Sequence, residues 1–146
     1  MGCKMSKIYL LDTNIYSEIA RPQPNPCVRE KLIQNQKLSA ISVVSWSESL
    51  YGVKRLPEGA KKERLEDFLL NTIQSYFEIL PFDQNCAWIY TDLKVRLEKR
   101  GHPMPDADLR IAATAISNGM ILVTRNTKNF DALKECSTLS LLNWFS

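Results

Sequence analysis

The chain has 146 residues, 45% of them hydrophobic, and a formal net charge of +3 from 19 basic and 16 acidic side chains. This length and composition fit one domain, 1–146, with its own core, and the mild positive charge is compatible with a nucleic-acid ligand without indicating one. No apolar run reaches the roughly 18 residues of a membrane span, and the first apolar stretch is too short for a secretory signal. We therefore expect a cytoplasmic protein without membrane association. Its four scattered cysteines form no CxxC pair and are interpreted as ordinary thiols.

Residues 1–6, Met-Gly-Cys-Lys-Met-Ser, formally match the N-myristoylation pattern. We interpret them instead as a disordered lead-in, an alternative start in which Met5 opens the chain, or a cloning remnant. No part of the fold prediction depends on them.

The rest of the chain alternates between predicted strands and predicted helices. Short apolar runs predict strands at residues 8–11, 38–44, 77–82, 120–123 and 139–142. Apolar positions at helical spacing, bounded by proline and glycine, predict helices at residues 13–20, 27–36, 45–55, 59–74, 85–99 and 106–117. Strands that alternate with helices predict an α/β fold, a three-layer α/β/α sandwich around a central parallel sheet.

Four segments offer an acidic or polar residue just past a predicted strand, or at the start of the helix near one. They contain Asp12, Glu48, Asp108 and the pair Thr124 and Asn126. Parallel α/β sheets bind ligands outside the carboxyl ends of their strands, so we expect these side chains to lie close together. Three carboxylates gathered there would repel one another unless a cation joined them. The sequence therefore predicts a divalent metal site.

Two of the acids have a competing structural interpretation as helix caps. Asp12 is suited to cap the helix that follows the first strand. If Ser45 opens the third helix, Glu48 occupies the third helical position of a capping box and bonds back to the cap residue. A carboxylate engaged in that way has less capacity for a metal.

The acidic pair of the sixth predicted helix divides between a cap and a site residue. Asp108 shares one helical face with a small apolar stripe, and an acid on a buried face is costly unless it is paired or bound to a cation. Asp106 lies about 200° around the helix from it. We interpret Asp106 as the cap and Asp108 as the site residue.

Residues 124–126 carry a second set of candidate ligands. Thr124 and Asn126 are either turn-forming residues or neutral groups that bind a metal or position a water. Arg125, with Lys128 nearby, is suited to hold a phosphate. Thr13 and Asn14 add a hydroxyl and an amide beside Asp12.

Other catalytic and binding motifs are missing from the sequence. The single histidine, His102, excludes a two-histidine mechanism, and the isolated glycines form no phosphate-binding loop. Two basic groups are suited either to track a phosphate backbone or simply to face solvent. They comprise Lys54, Arg55, Lys61, Lys62 and Arg64, and Arg96, Lys99 and Arg100.

Together, the four segments resemble the motifs of a known family. Leu-Leu-Asp12-Thr-Asn, Ser-Glu48, Asp108-Leu-Arg-Ile-Ala-Ala-Thr-Ala and Leu-Val-Thr124-Arg-Asn126-Thr-Lys-Asn-Phe look like the motifs of the PIN domain. The resemblance is to VapC-type toxins of bacterial toxin–antitoxin pairs, including the FitB-like branch, and it covers residues 8–144. Each motif alone is weak, whereas their order and spacing form a specific combination.

The resemblance implies a Mg²⁺- or Mn²⁺-dependent endoribonuclease that hydrolyses RNA phosphodiester bonds with a metal-activated water. It places the metal on Asp12, Asp108 and Glu48, with Asn126 where the family often has a fourth acid. Together with Thr13, Asn14, Thr124 and Arg125 as substrate-binding residues, these form the expected site. The implied partners are an RNA substrate, a second copy in a homodimer and a VapB-type antitoxin, which alone contacts promoter DNA.

Two other functions remain open on the sequence. One is a metal-dependent DNA nuclease or phosphatase built on a similar sheet. The other is a non-catalytic or weakly active module that binds RNA or a partner, in which the acids are caps. Convergence of Asp12, Glu48 and Asp108 within reach of one metal separates the last function from the enzymes.

Overall fold

A computed structural model describes residues 6–145 of the chain. The interpretation of residues 1–6 therefore lies outside the described residues, apart from Ser6. The strands are β1 (Tyr9–Leu11), β2 (Ser39–Ser42), β3 (Glu78–Leu80), β4 (Ile121–Val123) and β5 (Ser140–Leu142). The α-helices are α1 (Thr13–Tyr16), α2 (Pro26–Asn35), α3 (Val43–Lys54), α4 (Ala60–Asp67), α5 (Gln74–Tyr76), α6 (Gln84–Lys99) and α7 (Asp106–Ser117).

The five strands form one parallel sheet in the order β3-β2-β1-β4-β5. Central β1 pairs with β2 on one side and with β4 on the other, so the ends of these three strands are neighbours. The backbone amide of Asp12 donates to the carbonyl of Val123 at 2.9 Å, and this bond extends the pairing of β1 and β4 to the carboxyl edge. The predicted α/β/α sandwich is confirmed.

Two hydrophobic cores cover the two faces of the sheet. Leu10 belongs to the core packed under α6 and α7, whereas Leu11 belongs to the core packed under α1, α2 and α3. Both leucines are fully buried, because successive side chains of a strand point to opposite faces. The unbroken apolar run of β1 is thus explained by burial on both faces.

The boundaries of two predicted helices are corrected. The third helix begins at Val43 rather than Ser45, because the Ser42 hydroxyl accepts the backbone N–H of Ser45 at 3.0 Å and caps the helix. The predicted helix 59–74 contains a π-helical stretch, Phe68–Ile73, between α4 and α5. This stretch places Leu69 and Ile73 in the second core.

Short 3₁₀ helices were not predicted. They are Ser17–Ala20, Gln36–Leu38 and Thr127–Leu133. Across the residues that the structure describes, no helix is long and apolar enough to cross a membrane.

Candidate active site

Asp12 lies at the carboxyl end of β1 and is buried. Its Oδ1 accepts the backbone N–H of Thr13 at 2.9 Å, which makes Asp12 the cap of α1. Its Oδ2 accepts the hydroxyl of Thr124 at 2.8 Å across the gap between β1 and β4. Capping therefore uses one carboxylate oxygen and leaves the other facing the strand-end groups, so the two interpretations of Asp12 are compatible.

Thr124 and Asn14 complete a polar network around that second oxygen. The Asn14 side-chain amide lies 3.4 Å from both Asp12 Oδ2 and Thr124 Oγ1, and its carbonyl oxygen accepts the backbone N–H of Arg125 at 3.0 Å. These contacts fix the Asp12 carboxylate and join the loops after β1 and β4. Asp12, Asn14 and Thr124 therefore meet here through their side chains, and Arg125 joins them through its backbone.

Asn126 joins this network through its backbone only. Its N–H donates to Thr124 Oγ1 at 3.1 Å, and its exposed side chain forms no hydrogen bond to the other predicted site residues within residues 6–145. The Arg125 guanidinium lies over the Phe145 ring, 4.4 Å from its centroid, and remains exposed.

Glu48 does not form the predicted capping box. Because α3 begins at Val43, Glu48 lies in the second helical turn, beyond the reach of the cap amide. The residue is exposed, and its carboxylate is free of the capping conflict that the sequence indicated.

A buried hydroxyl network links the loop after β1 to α3. Thr13 Oγ1 lies 2.7 Å from Ser45 Oγ, and the Tyr16 hydroxyl donates to the Ser45 carbonyl at 3.2 Å and contacts the Ser49 hydroxyl. The network fixes the helix that carries Glu48 against the segment that carries Asp12. Sequence analysis missed it, although Ser45 and Ser49 at i and i+4 on an apolar helix face were a usable signal.

Asp106 is not the cap that the sequence predicted. Pro105 is the cap residue of α7, without a side-chain cap bond, and Asp106 instead contacts the Tyr90 hydroxyl and pairs with Arg110 at 2.8 Å. These contacts lower the pKa of Asp106 to about 2, the Tyr90 hydrogen bond being the largest cause. Asp108 is half-buried in the same turn and pairs with neither Arg110 nor Lys94.

The three predicted acids influence one another electrostatically. Although Glu48 is exposed as a residue, partial desolvation of its carboxylate raises its pKa, and the charges of Asp12 and Asp108 raise it further. Burial and the Asp12 charge likewise raise the pKa of Asp108. None of the ion pairs within residues 6–145 involves these acids. The site thus concentrates negative charge that no side chain of the described part neutralises.

The acidic site offers carboxylate oxygens to a divalent cation. No group of three or more His, Cys, Asp or Glu side chains among the described residues is placed to hold one metal ion directly. Mg²⁺, however, is commonly bound through one or two carboxylates and keeps several waters. The mutual repulsion and the all-oxygen donors fit a hard cation held in that manner.

The comparisons with known proteins bear on what such a site does. A family model described as the PIN domain matches residues 9–135. The chain belongs to the PIN domain family. The toxin FitB of Neisseria gonorrhoeae is 39% identical over 129 residues, covering 84% of this chain and 91% of FitB. The ribonuclease VapC2 of Rickettsia felis is 33% identical over 138 residues, covering 94% of this chain and 98% of VapC2.

Solved structures support the same membership of the PIN domain family. A chain of FitAB bound to the IR36 DNA fragment matches with a TM-score of 0.84 at 34% identity, covering 95% of this chain and 96% of that chain. The resemblance to the PIN domain that the four short motifs indicated is therefore confirmed.

Proposed function

We propose that this PIN domain is a ribonuclease toxin that hydrolyses RNA phosphodiester bonds and is neutralised by a VapB-type antitoxin. The observation that carries the proposal is the buried Asp12 carboxylate, which Thr124 and Asn14 fix at the carboxyl edge of the sheet. The raised pKa values of Glu48 and Asp108, to which the Asp12 charge contributes, agree with it. Relatives named as a toxin and as a ribonuclease support it, since each covers most of the chain.

Each site residue has a role in this proposal. Asp12 and Asp108 hold a divalent cation, Mg²⁺ or Mn²⁺, which when bound supplies water activation and neutralises phosphate charge. Glu48, whose pKa is raised, accepts a proton or orients the attacking water. Thr124 and Asn14 fix the Asp12 carboxylate through the contacts described above.

The remaining residues contact the substrate in this proposal. The exposed Arg125 guanidinium binds an RNA phosphate, because arginine forms charge-assisted bonds to phosphate oxygens. Thr13 and Asn126 offer a hydroxyl and an amide beside the acids, where they position water or a sugar–phosphate group.

An apolar groove beside the acids supports neutralisation by a partner. Its volume is about 340 Å³, and it lies between α1, α3, α4 and the π-helical stretch that follows α4. Glu48, Tyr16, Val53 and Phe68 are among the residues that line it. An antitoxin segment with apolar side chains fills such a groove and covers the acids. We propose that the chain acts as a homodimer and that promoter DNA is contacted only through the antitoxin. The similarity to a chain of FitAB bound to a DNA fragment supports an assembly that binds DNA.

One observation favours a second candidate function. The lack of a directly ligating acid trio among the described residues favours a module that binds RNA or a partner without cleaving it. The two functions differ in whether metal ions change the fate of bound RNA.

The cleavage test uses full-length protein freed of any partner and structured RNA, with Mg²⁺ or with EDTA. We expect cleavage only with the metal, and a loss of at least about 100-fold in rate for Asp12→Asn and for Asp108→Asn, because each removes a charged metal ligand. Asp92→Asn, an exposed acid of α6, serves as the matched control and retains the rate.

Cleavage that persists in EDTA or in both site variants contradicts the proposed mechanism. RNA that is bound by the wild type but stays intact with Mg²⁺ or Mn²⁺ supports the binding module. Single-stranded DNA and a phosphomonoester are run in parallel. Faster turnover of either one assigns the site to a DNA nuclease or a phosphatase.

A further inference from the structure

An exposed aromatic ring lies one helical turn from Glu48 on α3. Tyr51 is 67% exposed, and the Arg55 guanidinium lies 5.8 Å from the centroid of its ring. Glu48, Tyr51 and Arg55 are spaced at i, i+3 and i+7, so they form one strip along the helix. Arg55 lies about 10 Å of helix rise beyond Glu48. The strip therefore leads directly away from the acidic site.

No ion pair within the described residues occupies Arg55, and Lys54 lies exposed beside it. This guanidinium is therefore available to an external anion while it stays near the Tyr51 ring. Proteins that bind single-stranded nucleic acid combine these two elements, an aromatic face for a base and a cation for the backbone. Arg55 belongs to the first basic group of the sequence, which was suited to track a phosphate backbone, and its position beside Tyr51 fits that role.

We propose that Tyr51 and Arg55 form a binding subsite for single-stranded RNA next to the acidic site. Tyr51 stacks on an unpaired base, and Arg55 binds a backbone phosphate on the same side. The subsite rests on the proposed function and adds two residues that contact the substrate outside the acidic site. An aromatic platform takes only unstacked bases, so the RNA at Tyr51 is single-stranded.

The strip suits RNA better than an apolar protein segment. Apart from the tyrosine ring, its side chains are charged. Neither Tyr51 nor Arg55 is among the residues that line the apolar groove. The positive charge of Arg55 and Lys54 complements phosphate, and the strip is continuous with Glu48.

The experiment measures binding of a fluorescein-labelled single-stranded RNA to full-length protein in EDTA, which prevents metal-dependent turnover. We expect Tyr51→Ala to weaken binding roughly 5- to 100-fold, the range for loss of one base–aromatic stack. Tyr51→Phe keeps the ring and retains the affinity. Tyr76→Ala is the matched control. Tyr76 is 54% exposed but precedes β3, so it lies at the amino ends of the strands, away from the acidic site.

Two further readouts separate a direct contact from a structural effect. A plot of log affinity against log salt concentration has a negative slope, and Arg55→Gln should make it less steep by about 0.7, since one phosphate contact to a single strand is lost. The same RNA annealed into a duplex should bind Tyr51→Ala and wild type equally. Thermal melting checks that the exposed substitutions leave the fold intact.

The subsite is overturned if wild type does not bind the single strand, or if Tyr51→Ala and Tyr76→Ala bind alike. A loss in Tyr51→Phe equal to that in Tyr51→Ala also overturns it. Unchanged RNA affinity with weakened inhibition by an antitoxin assigns the strip to a protein partner instead. If RNA binding depends on Tyr51 but no RNA is cleaved, the ribonuclease function is refuted and the subsite stands. If RNA is cleaved but its binding does not depend on Tyr51, the subsite is refuted and the ribonuclease function stands.

Discussion

Asp106 and Asp108 occupy the same turn of α7 in opposite electrostatic surroundings. Asp106 has Tyr90, Lys94 and Arg110 around it, and its pKa is lowered. Asp108 is half-buried near Asp12, and its pKa is raised. The charged form of Asp106 is thus favoured by the fold, and the charged form of Asp108 is disfavoured.

We expect Asp108→Asn to raise the melting temperature in EDTA at neutral pH by roughly 2–4 °C, about 1 kcal/mol for a chain of this size. The substitution removes a charge that burial and Asp12 oppose. A group whose folded pKa is raised destabilises the fold above that pKa, so the gain should be full at neutral pH. It should shrink as pH falls and Asp108 itself becomes protonated.

Differential scanning calorimetry in EDTA and in Mg²⁺ measures this difference. Mg²⁺ should raise the melting temperature of the wild type more than that of Asp108→Asn, because only the wild type keeps both ligands. A variant that melts below the wild type in EDTA shows that Asp108 is not under electrostatic strain, and the charge-cluster description of the site then fails.

At the scale of elements, a local cap decides where α3 begins. Val43 and Val44 are β-branched, which favours a strand, but the Ser42 hydroxyl binds the Ser45 amide and starts α3 two residues earlier. The existence of α3 was predictable from its periodicity. Its first residue was not, because Ser42 and Ser45 are equally good caps by residue type.

The role of Asp106 was likewise beyond sequence reasoning. Its partner Arg110 is one turn away and was visible as an i, i+4 pair. Tyr90, the largest cause of its lowered pKa, lies on α6 and reaches Asp106 only after the two helices pack. The partial burial of Asp108 was predictable, because its apolar stripe can be read from the sequence, and its role in the site stays a prediction.

The contacts around Asp106 join α6 to α7. The Arg110 guanidinium lies 4.5 Å from the Tyr90 ring centroid and 5.1 Å from that of Phe82, and it pairs with Asp106. We expect Asp106→Asn to lower the free energy of unfolding by up to about 1 kcal/mol, the upper range for an exposed ion pair. The control Asp92→Asn removes an isolated surface pair with Arg96 and should change less.

Urea unfolding at several pH values tests the contribution of these Asp106 contacts. Because the folded pKa of Asp106 is about 2, its contribution should be present above the ordinary value near 3.8 and be lost as pH falls toward 2. If Asp106→Asn and Asp92→Asn lower the free energy of unfolding equally at neutral pH, the Asp106 contacts are no stronger than a solvated surface ion pair.

At the scale of the molecule, the site depends on both cores. Asp12 follows Leu10 and Leu11, which anchor β1 in opposite cores, while Asp108 and Glu48 are carried by helices that cover opposite faces. The approach of the segments that carry these acids to one edge was predictable, because parallel strands end together, whereas the site role of the three acids stays a prediction. The hydroxyl network that joins α1 to α3 was not predictable, since it depends on how α1 packs on α3.

This arrangement predicts that the two cores unfold as one unit. Leu10→Ala and Leu11→Ala should each lower the free energy of unfolding by about 2–5 kcal/mol, the cost of deleting a buried leucine side chain. Val95→Ala, at an exposed position of α6, is the control and should change it by less than about 0.5 kcal/mol. Urea unfolding followed by tryptophan fluorescence and by far-UV circular dichroism measures both.

The two probes sample different parts of the molecule. Trp46 and Trp144 lie in the core that contains Leu11, whereas much of the helical signal comes from α6 and α7 over the core that contains Leu10. Coincident transitions are expected for both variants, because each core packs on the same central strand. If Leu11→Ala shifts the fluorescence transition and leaves the circular dichroism transition in place, the cores are independent. The acids would then be held by two separable units, and loss of one core would release Glu48 while Asp108 stayed in position.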